Sequence, residues 1–274
     1  DADLNVTYAQ SSTGSKQLKD PNGNAVVSVT TGQSVTVTND VSAPTVSAVT
    51  TSASDATYGI GDVIPILIQF NEVVNVQGTP TLALETGTTD ATAYYASGSG
   101  TDTLTFNYTV ASPHVASDLD YKATTSLTLP TNSDTIRDNL ATNGTLTLAT
   151  PGQTGSISDN QAIVIDGVRP TFTGYAGTAG TTTITITASE VLSGAPDPTD
   201  FTVTNAAGAG NTVTAATLAS NGQSIALTLT NMIQNDADLN VTYAQSSTGS
   251  KQLKDPNGNA VVSVTTGQSV TVTN

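Results

Sequence analysis

Residues 1–39 recur without a single change as residues 236–274 of this 274-residue chain. Folding tolerates many surface substitutions, so identity at all 39 positions, solvent-facing ones included, is not a product of fold constraint. It marks a recent or an engineered duplication. A fixed repeat is read before anything else, because it sets the architecture. The chain is therefore expected to be a window on a tandem array with a 235-residue period. On that reading the window opens inside one domain and closes at the same point one period later.

Inside the period two related halves stand out, 40–167 and 168–274. Each opens on an acidic, Pro-containing linker, Asp40–Pro44 and Asp166–Pro170. Each then runs through an alternating segment into a glutamate, Glu72 after ILIQFN and Glu190 after ITITAS. Acidic turns follow at Asp118/Asp120 and Asp236/Asp238. An Asp turn comes later in each half, at Asp138 and at Asp255. Residues 1–39 then count as the C-terminal strands of a second-type domain, identical to 236–274. Strands without partners expose backbone donors and acceptors. A preceding repeat is expected to complete them, or an identical chain by strand exchange in a filament.

Thr supplies 52 residues, with Val, Ser, Ala and Gly abundant around it. β-Branched side chains favour pleated strands over helices. Alternating runs bounded by Gly, Pro, Asn or Asp read as strands. In the first half they fall at 45–50, 63–70, 81–85, 91–96, 103–110, 124–129, 145–149 and 161–165. In the second they fall at 171–175, 181–188, 200–205, 212–218, 223–229, 238–243, 260–264 and 269–273. Many short strands with no helical period give an all-β fold of tandem Ig-like β-sandwich domains.

Charge removes several functions. A formal net charge of -15 offers little to a phosphate backbone or an anionic bilayer, so neither nucleic-acid binding nor membrane insertion is expected. No Cys is present, which removes thiol chemistry and Cys-ligated zinc. The single His, His114, removes every site that needs two, and it reads as a solvent-exposed loop residue. Paired carboxylates can hydrolyse glycosides, but Asp118 and Asp120 lie two apart with nothing placing them across a cleft. No enzyme is expected.

The segments Asp200–Thr204 (DFTVT), 225–233 (IALTLTNMI), 241–243 (VTY) and 253–261 (LKDPNGNAV) resemble the SwmB-type repeat of large bacterial surface proteins. The resemblance covers most of 168–274, and 1–39 again. Segments 63–87, 94–110 and 118–121 look like a neighbouring Ig-like module of giant bacterial adhesins. The resemblance implies repetitive, secreted stalks at the bacterial cell surface, often tied to calcium.

Calcium takes six to eight hard oxygen ligands. Candidate carboxylates are Asp40, Glu72, Asp118, Asp120, Asp166, Glu190, Asp236 and Asp238, placed at linkers, strand ends and acidic turns. Their recurrence in both halves fits a cation clamped between a linker Asp and a Glu of the next domain. Turn chemistry alone gives the same residues, since Asp and Asn cap turns with their side chains. The expected role is a structural, extracellular spacer: an adhesin stalk, filament or surface-layer component, with Ca2+ as a possible cofactor. Its partners would be neighbouring repeats or identical chains. The competing role is a glycan- or protein-binding module that uses the sandwich-end loops 96–102 and 206–211.

Overall fold

The computed structural model describes residues 4–8, 29–35, 42–234 and 238–274, with backbone alone for 4–8, 29–35 and Ser250. Asp40 and Asp236 lie outside the described residues. The chain divides into two compact units, Asp1–Ser42 and Ala43–Asn274.

In the first unit, β1 (Leu4–Tyr8) and β2 (Val29–Val35) form an antiparallel pair. Asn5 faces Ser34, Val6 faces Gln33, and the register shifts before Tyr8 meets Val29.

The second unit is almost entirely β-structure, in antiparallel sheets with two parallel pairings. It begins with β3 (Val46–Thr51), β4 (Ala56–Tyr58), β5 (Val63–Gln77) and β6 (Thr81–Glu85). Next come β7 (Ala91–Ser97), β8 (Thr101–Thr109), β9 (Val115–Ala116) and β10 (Asp120–Tyr121). β11 (Leu127–Thr128), β12 (Thr135–Arg137), the one-turn helix α1 (Ile157–Asn160) and β13 (Ile163–Asp166) complete the first half. One sheet runs β10-β6-β7-β8-β5-β12, with β11 on β6 and β3 on β5; the other runs β4-β13-β9. Period-2 patterning decides the faces. Ile64, Ile66, Ile68 and Phe70 of β5 and Leu104, Phe106 and Tyr108 of β8 all point inward and are buried.

The second half holds β14 (Phe172–Thr178), β15 (Thr183–Ala188), β16 (Phe201–Asn205) and β17 (Val213–Leu218). It ends with β18 (Ser224–Leu229), β19 (Leu239–Tyr243), β20 (Val264–Ser269) and β21 (Thr271–Thr273). Its sheets are β17-β18-β15-β14-β21 and β16-β19-β20. Ile184, Ile186, Ile225, Leu227, Val203 and Val241 fill a core separate from that of the first half. Phe201 and Tyr243, opposed in register, meet at a tilt of 39° with ring centroids 5.1 Å apart, and Phe172 meets Tyr243 edge-on. β14 and β21, the first and last strands of this half, pair in parallel.

The strand reading needs four corrections. β5 continues past residue 70 through a bulge, where its register with β8 shifts between Gln69 and Val74. Residues 145–149 make no regular strand; Thr145 forms one isolated bridge to Thr45. Residues 260–263 are not a strand either, and β20 starts only at Val264. The short strands β4, β9, β10 and β12 carry too few residues to show a period.

Candidate functional site

The linker Asp166–Pro170 lies between the two sandwiches of the second unit and is gripped from both sides. On the first sandwich, the buried Gly167 donates its N–H to the His114 carbonyl at 2.7 Å. A Cβ at Gly167 would stand 2.4 Å from the Ala111 oxygen and 2.6 Å from the His114 oxygen, so only glycine fits this approach.

On the second sandwich, the grip is the loop Asp255-Pro-Asn-Gly-Asn259. Asp255 is 2% exposed, and its Oδ1 accepts from the backbone N–H of Asn257 and of Asn259. That side-chain cap folds the loop on itself. Two amides then project toward the linker. Asn257 Nδ2 donates to Asp166 Oδ2 at 2.7 Å, and Asn259 Nδ2 donates to the Asp166 carbonyl at 2.8 Å. Asn259 also donates to Asp255 Oδ2, and its Oδ1 accepts from the Ile60 N–H at 2.7 Å. Ile60 belongs to the first sandwich, so one buried amide ties together a loop of the second, the linker and a turn of the first. Arg169 Nη1 adds a bond to the Ala260 carbonyl. Gly59 packs so closely that a Cβ there would lie 2.2 Å from the Asn257 oxygen.

At this joint Asp166, Glu190 and Asp255 bring carboxylate oxygens within 4.8 Å of one another. Asp166 and Glu190 are half-buried and Asp255 is buried. Burial, then the charges of Asp255 and Asp166, pushes the Glu190 carboxyl above its ordinary value. The two ion pairs among the described residues, Lys122–Asp90 and Lys251–Asp197, involve none of the three. The donor set is carboxylate oxygen alone, the hard kind of ligand that Ca2+, Mg2+ and Mn2+ take.

The other candidate carboxylates are placed elsewhere. Asp120 is buried, and four donors surround it: the N–H groups of Tyr121, Gly152 and Ile157, and the Ser158 hydroxyl. It anchors the segment that leads into α1. Asp118 is exposed and accepts from the Ile163 N–H at 3.3 Å. Asp238 is exposed beside a cleft of about 460 Å³ lined in part by Asn205, Asn211, Asn231, Met232 and Gln234. Loop 206–211 borders this cleft. Glu72 sits in the β5 bulge, far along the chain from its counterpart Glu190, which follows β15 directly.

Asp138 repeats the local construction of Asp255. It is buried, and its Oδ1 accepts from the N–H groups of Leu140 and Thr142. The left-handed position is Ala141 in one loop and Gly258 in the other. The two Asp turns pair in the sequence, yet Asp255 is not among the carboxylates expected there to hold a cation. The signal was present: Asp138 and Asp255 keep nearly the spacing of Glu72 and Glu190. His114, expected in solvent, is half-buried. Its Nδ1 accepts from the Ala111 N–H and meets the Tyr108 hydroxyl at 3.1 Å, and burial lowers its pKa.

Residues 160–248 match a family model, SWM_repeat, described as "Putative flagellar system-associated repeat". The match takes in the linker, Glu190 and most of the second sandwich, about a third of the chain, and stops before the Asp255 loop. No curated protein matches the chain.

Proposed function

We propose that this chain is a structural spacer of a repetitive surface or appendage protein, in which paired sandwiches are held at a fixed angle by their joint. The observation that carries this reading is the side chain of Asn259. It is 1% exposed and hydrogen-bonded at once to Ile60, Asp166 and Asp255. A flexible tether has no need to bury an amide between two domains, and an unsatisfied one there would cost about 1–3 kcal/mol. The similarity to a flagellar system-associated repeat supports a surface or appendage setting. The acidic, Thr-rich, Cys-free composition supports an extracellular one. The role is mechanical, not enzymatic. That part rests on the single histidine, whose Nδ1 is already engaged with Ala111 and Tyr108.

Calcium completes the reading. Asp166, Glu190 and Asp255 would hold the ion, one carboxylate from the linker and two from the second sandwich. Bound there, Ca2+ would supply neutralising charge across the joint and stiffen it. Small-angle scattering and thermal unfolding, with calcium and with chelator, test both parts. Calcium should raise the melting temperature of the second sandwich. Asp166→Asn with Glu190→Gln should abolish that rise while both cores stay folded. Asn259→Ala should broaden the interdomain distance distribution in either buffer. An unchanged profile for Asn259→Ala would remove the fixed-joint reading, and an unchanged melting temperature would remove the calcium.

A further inference from the structure

We propose that Asn257 is a modification site: its amide is converted to a carboxylate through attack by the neighbouring Gly258 nitrogen, and the conversion releases the joint. The proposal rests on the hydrogen bonds of the joint and on no bound cation.

The reacting groups are adjacent in Asn257–Gly258. A glycine after asparagine leaves its backbone nitrogen uncrowded. Here Gly258 is exposed at φ +93°, and even a Cβ on it would meet nothing within 4 Å. Its N–H donates to the Asp255 carbonyl at 3.3 Å, a long bond that holds it weakly. The step balances within the chain. A bond forms between the Gly258 nitrogen and Asn257 Cγ, the Cγ–Nδ2 bond breaks, and ammonia leaves with the proton from the Gly258 nitrogen. Water then opens the cyclic imide at either carbonyl. One opening gives Asp, the other a β-linked Asp with an extra methylene in the backbone.

The joint makes the outcome consequential. Asn257 Nδ2 is the donor to Asp166 Oδ2 at 2.7 Å. After conversion that position holds an acceptor, so two carboxylates face each other beside Glu190 and Asp255. Like charges at such range repel strongly where solvent is partly excluded. The β-linked product also moves the Asn257 carbonyl, against which Gly59 is packed. In the intact joint the same bonds restrain the reaction. The Asn257 backbone N–H is held by Asp255 and its side-chain amide by Asp166, so the side chain must leave Asp166 before Cγ can turn to be attacked.

A synthetic peptide of residues 251–263 gives the unrestrained rate. Full-length chain is aged at mildly alkaline pH in chelator, then cut after Lys254, and the C-terminal peptide is read by mass. Asn257 should convert roughly tenfold more slowly in the folded chain than in the peptide, the lag expected from releasing a hydrogen bond to a charged group. The lag should vanish in urea. Asn257→Asp made directly should show faster hydrogen exchange at the Ile60 and Gly167 amides. Asn257 intact in the folded chain when the peptide is fully converted would overturn the proposal. Equal rates in the folded chain and the peptide, or an Asn257→Asp chain that leaves Ile60 and Gly167 as protected as before, would overturn it too. Asn259→Ala is the reference for an opened joint, so a failed conversion and an already loose joint give different results.

Discussion

Ala141 occupies the left-handed region at φ +66°, where the matching loop of the second sandwich uses Gly258. An L-residue there costs about 1–2 kcal/mol, and glycine gives back part of the gain as chain entropy. Ala141→Gly is expected to stabilise the first sandwich by about 0.5–1 kcal/mol, raising its melting temperature by roughly 1–3 °C. Differential scanning calorimetry reads that shift. Glu190 gives a pH dependence. Its carboxyl titrates above the ordinary value, so the folded state binds its proton more readily than the unfolded chain. In chelator its contribution to stability is therefore full below the unfolded carboxylate range and is lost as pH rises through the raised folded value. Glu190→Gln should flatten this part of the stability profile and stabilise the metal-free protein at neutral pH. A profile unchanged by the substitution would mean that the three carboxylates do not interact. Residue type alone could not separate such an acid from Asp120. One ends a strand and the other lies in an acidic turn, and only the fold shows that Asp120 is saturated by four donors.

The long alternating strands were legible in the sequence because burial on one face writes a period of two into it. β6 falls at its expected bounds, and β7, β8, β15, β16, β17, β18 and β19 lie within a residue or two of theirs. Two-residue strands such as β9 and β10 write no period, and the bulge in β5 hides its continuation. The strands described in the identical segments also pair alike. β1 and β2 pair in the register of β19 and β20, Asn5–Ser34 matching Asn240–Ser269, with the same shift before Tyr8 and Tyr243. Leu239–Tyr243 is paired on its other edge by β16. Strand exchange would seat Leu4–Tyr8 of another chain in that place. The resident strand has the same sequence and is tethered to the acceptor by a short connection, which gives it an effective concentration on the order of millimolar. It should therefore win in dilute solution. Cysteines placed at Thr202 and Thr242 should cross-link within one chain, and cysteines at Thr202 and Thr7 should give no covalent oligomers at micromolar concentration. A ladder from the second pair would restore exchange as the mode of assembly.

At the scale of the whole molecule, the exact repeat leads to the expectation of an array, and the recurring linker, glutamate and Asp turn to that of related units. The sequence did not show which carboxylates meet. Asp166, Glu190 and Asp255 come from a linker, a strand end and a loop separated by many residues, and only the docking of two sandwiches assembles them. The amides of Asn257 and Asn259 were equally hidden, because Asn in a Pro-Asn-Gly-Asn turn has a sufficient local reason to be there. In the second sandwich, β14 enters and β21 leaves in parallel, through the pairs Ala176–Thr271, Gly177–Val272 and Thr178–Thr273. Tension applied through the two ends of that sandwich would pull these strands in opposite directions along their own axes. Their hydrogen bonds would then bear load in shear, all together, and would not peel open one after another as in a hairpin pulled from its ends.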